Sequence, residues 1–140
     1  MKIILIFFSL LPVVHCAQAL DCKAAHILSN EKQKIDAAYK FHIHNSKGVL
    51  TLDGKHYDGN KSSIISRQIF FDAEKVSKSG YYLTSRRIKK LPDEDIAPES
   101  LQLNYPDFFW DEENDIFLSI EKFGNAYSMS WTTDPLFICY

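Results

Sequence analysis

The chain has 140 residues, 46% hydrophobic and 14% aromatic, and a net charge of −2 from 16 basic and 18 acidic residues. That length allows one domain, and the acidic balance excludes a nucleic-acid binder, which would carry a basic surplus. Beyond the first 19 residues no stretch approaches the roughly 20 apolar residues a spanning helix needs.

The first residues read MKIILIFFSLLPVVHCAQA. Lys2 precedes an apolar run from Ile3 to Val14, and Ala17-Gln18-Ala19 is the small-x-small pattern a signal peptidase accepts. Residues 1–19 therefore read as a signal peptide, with a retained N-terminal membrane anchor as the alternative. Both readings export residues 20–140 as a single β domain. Removing Lys2 lowers the 16 basic residues to 15 against 18 acidic, and 15 − 18 gives −3. Cleavage after Ala19 also removes Cys16 and leaves Cys22 and Cys139. An even cysteine count in an exported chain reads as a disulfide, with two free thiols as the alternative. Such a bond would tie the two ends of the domain together and be worth about 4–5 kcal/mol by chain entropy.

After Asn30 the stretch NEKQKIDAAY fits either a short helix or a strand lead-in. The body then alternates with period two between turn signals, the pattern of half-buried strands. In AAYKFHIHN, Tyr39, Phe41 and Ile43 share one face, and Lys40, His42 and His44 share the other. SKG turns the chain into the short strand VLTLDG, which carries Leu50 and Leu52. SSIISRQIFFDAE is a longer strand, with Ile65, Ile69 and Phe71 on one face and Arg67 among them; KSG then turns into YYLTSRRIKK. APESLQLNY reads as a short helix with Pro98 in its first turn, ended by Pro106. Gly124-Asn125, between DIFLSIEKF and AYSMSW, is a tight-hairpin signal that sets Ile116, Leu118 and Ile120 opposite Tyr127, Met129 and Trp131. Six to eight strands and one short helix make a mainly β fold, an antiparallel sheet closing into a small barrel or half-barrel. A barrel of that size can hold one small ligand.

The histidines at 42 and 44 sit on one strand face, but a metal needs three or four ligands and no clear third is present. Histidines titrate near pH 6.5, so His26, His42, His44 and His56 are candidates for sensing acidification. The sharpest expectation is a pH-dependent association abolished by His→Gln at positions 42 and 44. SRRIKK, with Arg86 and Arg87, and the acidic WDEEND read as solvated or mutually paired faces, or as a charged rim that orients a protein partner. YPDFFWDEE gathers Phe108, Phe109 and Trp110, residues of a core or of an interface, where aromatics dominate binding energy. There is no GxSxG, glycine-rich phosphate loop or HExxH, so the expectation is a non-enzyme without a cofactor.

A cysteine opening the domain in LDCKAAHIL comes first, followed by GVLTLDG, IISRQIFFD, YYLTSRRIKKLPDED, YPDFFW and IFLSIEKFGNAYSMS, with PLFICY at the end. In that order these segments resemble the FidL-like proteins of enterobacteria, across nearly all of residues 20–140. By analogy the chain is similar to ToxS-, VtrC-, PsaF- and MyfF-type accessory proteins, although members are often described as keeping the N-terminal anchor that Ala17-Gln18-Ala19 departs from. The resemblance implies a periplasmic protein, free or tethered to the inner membrane, that forms a heterodimer with the periplasmic domain of a ToxR- or CadC-like regulator of virulence genes. It also implies a lipocalin-like barrel that takes a bile salt, a fatty acid or another amphipathic molecule. The wall of that cavity would comprise Phe41, Ile43, Leu50, Leu52, Ile69, Phe71, Ile116, Leu118, Ile120, Tyr127, Met129 and Trp131. The alternative is a stand-alone periplasmic carrier of a small apolar ligand.

Overall fold

A computed structural model describes residues 19–131 and 137–140. The leader or anchor, with Cys16, lies outside the described residues, apart from Ala19. Eight strands follow one another as β1 (Leu20–Ser29), β2 (Gln33–His44), β3 (Lys47–Asp58), β4 (Lys61–Lys75), β5 (Gly80–Lys90), β6 (Asp115–Phe123), β7 (Ala126–Ser130) and β8 (Phe137–Cys139). One helix, α1 (Pro98–Asn104), and a single 3-10 turn (Asp107–Phe109) lie between β5 and β6. Each strand pairs antiparallel with its neighbour in sequence, in the order β1-β2-β3-β4-β5-β6-β7-β8.

The turns follow from local chemistry. Asn30 accepts the N–H groups of Lys32 and Gln33 on its side-chain oxygen, 3.0 and 2.8 Å away. This closes an Asx turn, so the stretch after Asn30 enters a strand rather than a helix. Asn45 and Ser46 are both left-handed, with φ of 50° and 60°, as a two-residue primed turn requires. Gly124, at φ 57°, makes the β6–β7 hairpin. VLTLDG proves to be the middle of a twelve-residue strand. It runs longer than its apolar stretch because β2 and β4 pair along its full length.

The sheet curls until its ends meet. The backbone of Lys23 on β1 and that of Tyr140 exchange two hydrogen bonds of 2.8 and 2.9 Å, and Cys22 and Cys139 form a disulfide beside them. The result is a nearly closed barrel rather than a half-barrel, because the chain supplies all eight strands itself. The described strands, the core and the disulfide all lie within residues 20–140.

The barrel has two unlike ends. At one, the segment from Leu91 to Asn114 folds across the opening. The Leu91 N–H donates to the Ser66 carbonyl at 2.9 Å, and the Asp95 and Ile96 N–H groups donate to the Ile64 carbonyl at 3.1 Å. Pro98 starts α1, and the extended Tyr105 before Pro106 ends it. The 3-10 turn then drives Phe108 and Phe109 into the barrel, where each is 1% exposed. The other end, where β1, β5 and β7 begin and β4 and β6 finish, remains open.

Candidate functional site

The barrel interior is filled. Phe109 packs on Tyr105, Phe108 and Trp131, with ring centroids 5.0–5.3 Å apart. Phe137 stacks on Tyr39 at 5.1 Å and on Phe41 at 5.9 Å. An eight-stranded barrel is just wide enough for side chains to fill, and here aromatics fill it. Of the twelve positions expected to wall a cavity, Phe41, Leu50, Leu52, Ile69, Phe71, Ile116, Leu118 and Met129 belong to the buried core, and Trp131 packs against it. Ile43, itself a buried core residue, lines an open space together with Ile120 and Tyr127.

That space is the mouth at the open end, a half-open cavity of about 750 Å³. Leu20, Ile43, Tyr81, Ile120 and Tyr127 supply its apolar wall, and Lys75, Lys78 and Lys122 its cations, with Glu121 beside them. The Lys75 ammonium lies 5.7 Å from the Tyr81 ring centroid and that of Lys122 lies 5.9 Å from Tyr127, so two of the cations stand over the aromatic wall. The volume falls in the range of small-molecule pockets.

The closing segment is held by an ion pair that sequence reasoning missed. Arg67 projects inward from β4 and is 1% exposed. Its Nε donates to Glu94 Oε2 at 2.8 Å, Nη2 donates to Glu94 Oε1, and Nη1 donates to the Phe109 carbonyl at 3.0 Å. The signal was available: an arginine on the Ile65–Ile69–Phe71 face must find a carboxylate, and PDED follows the next strand. Above the pair, the Tyr39 and Tyr105 hydroxyls meet at 3.1 Å. Burial raises both phenols, Tyr105 to about 12 and Tyr39 further.

The structure divides the residues expected either to pair and fill the core or to meet a partner. Phe108 and Phe109 are core residues and offer no surface, because the 3-10 turn points them into the barrel. Trp110 is half-buried, and its indole N–H donates to the Tyr105 carbonyl at 3.0 Å. A bulge between Phe70 and Phe71 in the β4–β5 pairing lets Arg86 and Arg87 both face outward. Arg86 then pairs with Asp72, at 2.8 Å, and with Glu113, and its hydrogen bond holds the Asp72 carboxyl below the usual range. Arg87 lies 4.3 Å from the Phe70 ring centroid. The basic strand and the acidic turn are thus joined by the Arg86–Glu113 pair and by the Ile88 N–H, which donates to Glu112 Oε1 at 2.8 Å.

Both His42 and His44 are exposed on β2, and His42 Nδ1 lies 3.6 Å from Asp21. The more enclosed imidazoles are those of His26 and His56, each with a buried ring nitrogen that has no hydrogen-bond partner. Burial lowers the His26 pKa.

A small, disulfide-closed antiparallel barrel with one end plugged is consistent with a lipocalin-like fold. More particularly, the chain belongs to the YqeJ C-terminal domain family, whose model matches residues 19–139. A comparison with curated proteins finds no match.

Proposed function

We propose that the chain is an exported, non-enzymatic accessory protein that binds the periplasmic domain of a membrane-bound ToxR- or CadC-like regulator and stabilises or activates it. The observation that supports this reading is the part of the β1 edge that has no backbone partner among the described residues. Lys23 is the β1 residue whose backbone meets Tyr140, yet β1 continues to Ser29. By strand alternation the N–H and C=O groups of Ile27 and Ser29 point the same way as those of Lys23, away from β2, beyond the stretch of β1 that lies beside β8. Among the described residues they have no partner. Ile27 is 62% exposed there, and an unpaired strand edge invites strand addition from another chain.

A partner segment on that edge would complete the seam and, by binding only the folded form, stabilise the barrel by mass action. Completion of a half-barrel is not required, since all eight strands are present. The order of segments shared with FidL-like and ToxS-like proteins supports the same reading. Co-expression of residues 20–140 with the periplasmic domain of a regulator encoded beside it tests the proposal. The expected result is a 1:1 complex with a raised melting temperature, lost in Ile27→Pro, which removes an edge N–H and spares the β1–β2 ladder. A stable monomer that ignores the regulator would favour a carrier instead, a reading to which the mouth cavity gives its own support.

A further inference from the structure

We infer that the open end of the barrel docks on an anionic membrane surface, a property independent of any regulator. The mouth carries Lys75, Lys78 and Lys122 against Glu121. Asp72 and Glu74 lie toward the outer wall of β4, where Asp72 is paired with Lys47 and Arg86. Beside these lysines stand two of the exposed large apolar side chains. Val76, between Lys75 and Lys78, is 46% exposed, and Phe123, after Lys122, is 53% exposed. Val76 sits in the turn before β5 and Phe123 at the end of β6, next to the β6–β7 turn. Apolar tips flanked by lysines are what an interfacial anchor needs, since the tips enter the headgroup boundary while the ammonium groups stay with the lipid phosphates.

The far end has the opposite character. Residues 91–114 hold eight carboxylates and no lysine or arginine. Glu94 is spent on Arg67 and Glu113 on Arg86, which leaves six. A basic mouth opposite an acidic cap orients the molecule mouth-down over negative charge. The chain also enters the barrel at this end. Ala19 and Leu20 line the mouth, and the apolar run Ile3–Val14 precedes them. If that run is kept, it tethers this end to the bilayer; if it is removed after Ala19, the new ammonium of Leu20 adds a cation at the mouth.

Sedimentation of residues 20–140 with vesicles tests the inference. Phosphatidylcholine vesicles are compared with vesicles of equal parts phosphatidylcholine and phosphatidylglycerol. Binding is expected only to the anionic vesicles and should weaken as salt rises. Each lysine near such a surface is worth roughly fivefold in partitioning. Lys75→Gln/Lys78→Gln/Lys122→Gln should therefore bind about a hundredfold more weakly, while Lys89→Gln/Lys90→Gln at the closed end should bind as the parent does. Val76→Ser/Phe123→Ser should weaken binding at an unchanged melting temperature. Equal binding to both vesicles, no binding, or an unaffected triple variant would overturn the inference. So would capture of dissolved dodecanoate without vesicle binding, which would make the mouth a solution-ligand pocket.

Discussion

Lys23 and Tyr140 exchange both of their facing backbone hydrogen bonds, and through that one pair the first strand of the barrel meets the end of the chain. Two such bonds contribute about 1 kcal/mol each. The Cys22–Cys139 bond beside them closes a loop with a sequence separation of 117 and is worth about 4–5 kcal/mol on chain entropy alone. The covalent link therefore dominates the seam. This accounts for a cysteine in β8, a strand of only three residues that would otherwise fray.

Cys22→Ser/Cys139→Ser should consequently lower the melting temperature by roughly 10–20 °C. Exchange of the amides of Phe137 to Tyr140 should accelerate more than that of the β2–β3–β4 amides, because the seam opens locally once the staple is gone. Native-state hydrogen exchange on the oxidised protein and the double variant reads this. Equal acceleration at all positions would mean that the seam has no stability of its own to lose.

The Arg67–Glu94 pair should behave as a buried ion pair whose members depend on each other. Removing one partner leaves an uncompensated charge at a site with side-chain exposures of 2% and 3%, at a cost of about 3–5 kcal/mol. Glu94→Ala and Arg67→Met should each fall in that range by urea denaturation. Arg67→Met/Glu94→Leu should recover most of the loss, because neither charge then needs solvating. Additive losses in the double variant would show that the two residues act separately.

Alternation made the β framework legible, since Tyr39, Phe41, Ile43, Leu118 and Met129 lie where period two puts them. The cysteines made the closure legible through compartment and count. Three features were hidden for identifiable reasons. β1 and β8 carry too little apolar signal of their own, with Ala24, Ala25 and His26 in one and three residues in the other. The destination of Phe108 and Phe109 depends on a single 3-10 turn, and composition does not distinguish an aromatic turned inward from one turned outward. The bulge that exposes Arg86 and Arg87 together breaks the alternation on which the strand was read. The mouth was only partly visible, because Ile43, Ile120 and Tyr127 have ordinary core signatures while Lys75, Lys78 and Lys122 gather only once the strands pair.

Gly48 should be intolerant of a side chain. A Cβ there would stand 2.4 Å from Cζ of Phe71 and 2.8 Å from the backbone oxygen of His42. Repacking can move the ring, but the carbonyl belongs to the β2 ladder and has little freedom. Gly48→Ala should therefore cost about 1–3 kcal/mol, and Phe71→Leu should relieve only part of it. Complete rescue in Gly48→Ala/Phe71→Leu, measured by thermal melts, would assign the whole clash to the ring.

His26 sets the expected pH dependence of stability. Its imidazole lies beside the Tyr39 and Phe137 rings, at centroid distances of 6.3 and 6.2 Å, and its Nδ1 is buried without a hydrogen-bond partner. Removal from water disfavours the charged ring, so the folded-state pKa lies below the ordinary 6.5. Below pH 6.5 the unfolded chain then binds more protons than the folded one, and stability falls as pH drops from about 6.5 toward the folded value. Above that window the residue contributes no slope. The depressed carboxyl of Asp72 works in a separate range, its contribution fading only as pH falls below about 4. His26→Phe should flatten the decline in urea midpoint just below pH 6.5, whereas His42→Gln/His44→Gln, on the exposed face, should leave that decline in place. The reverse pattern would move the titrating group from the seam to the outer face of β2.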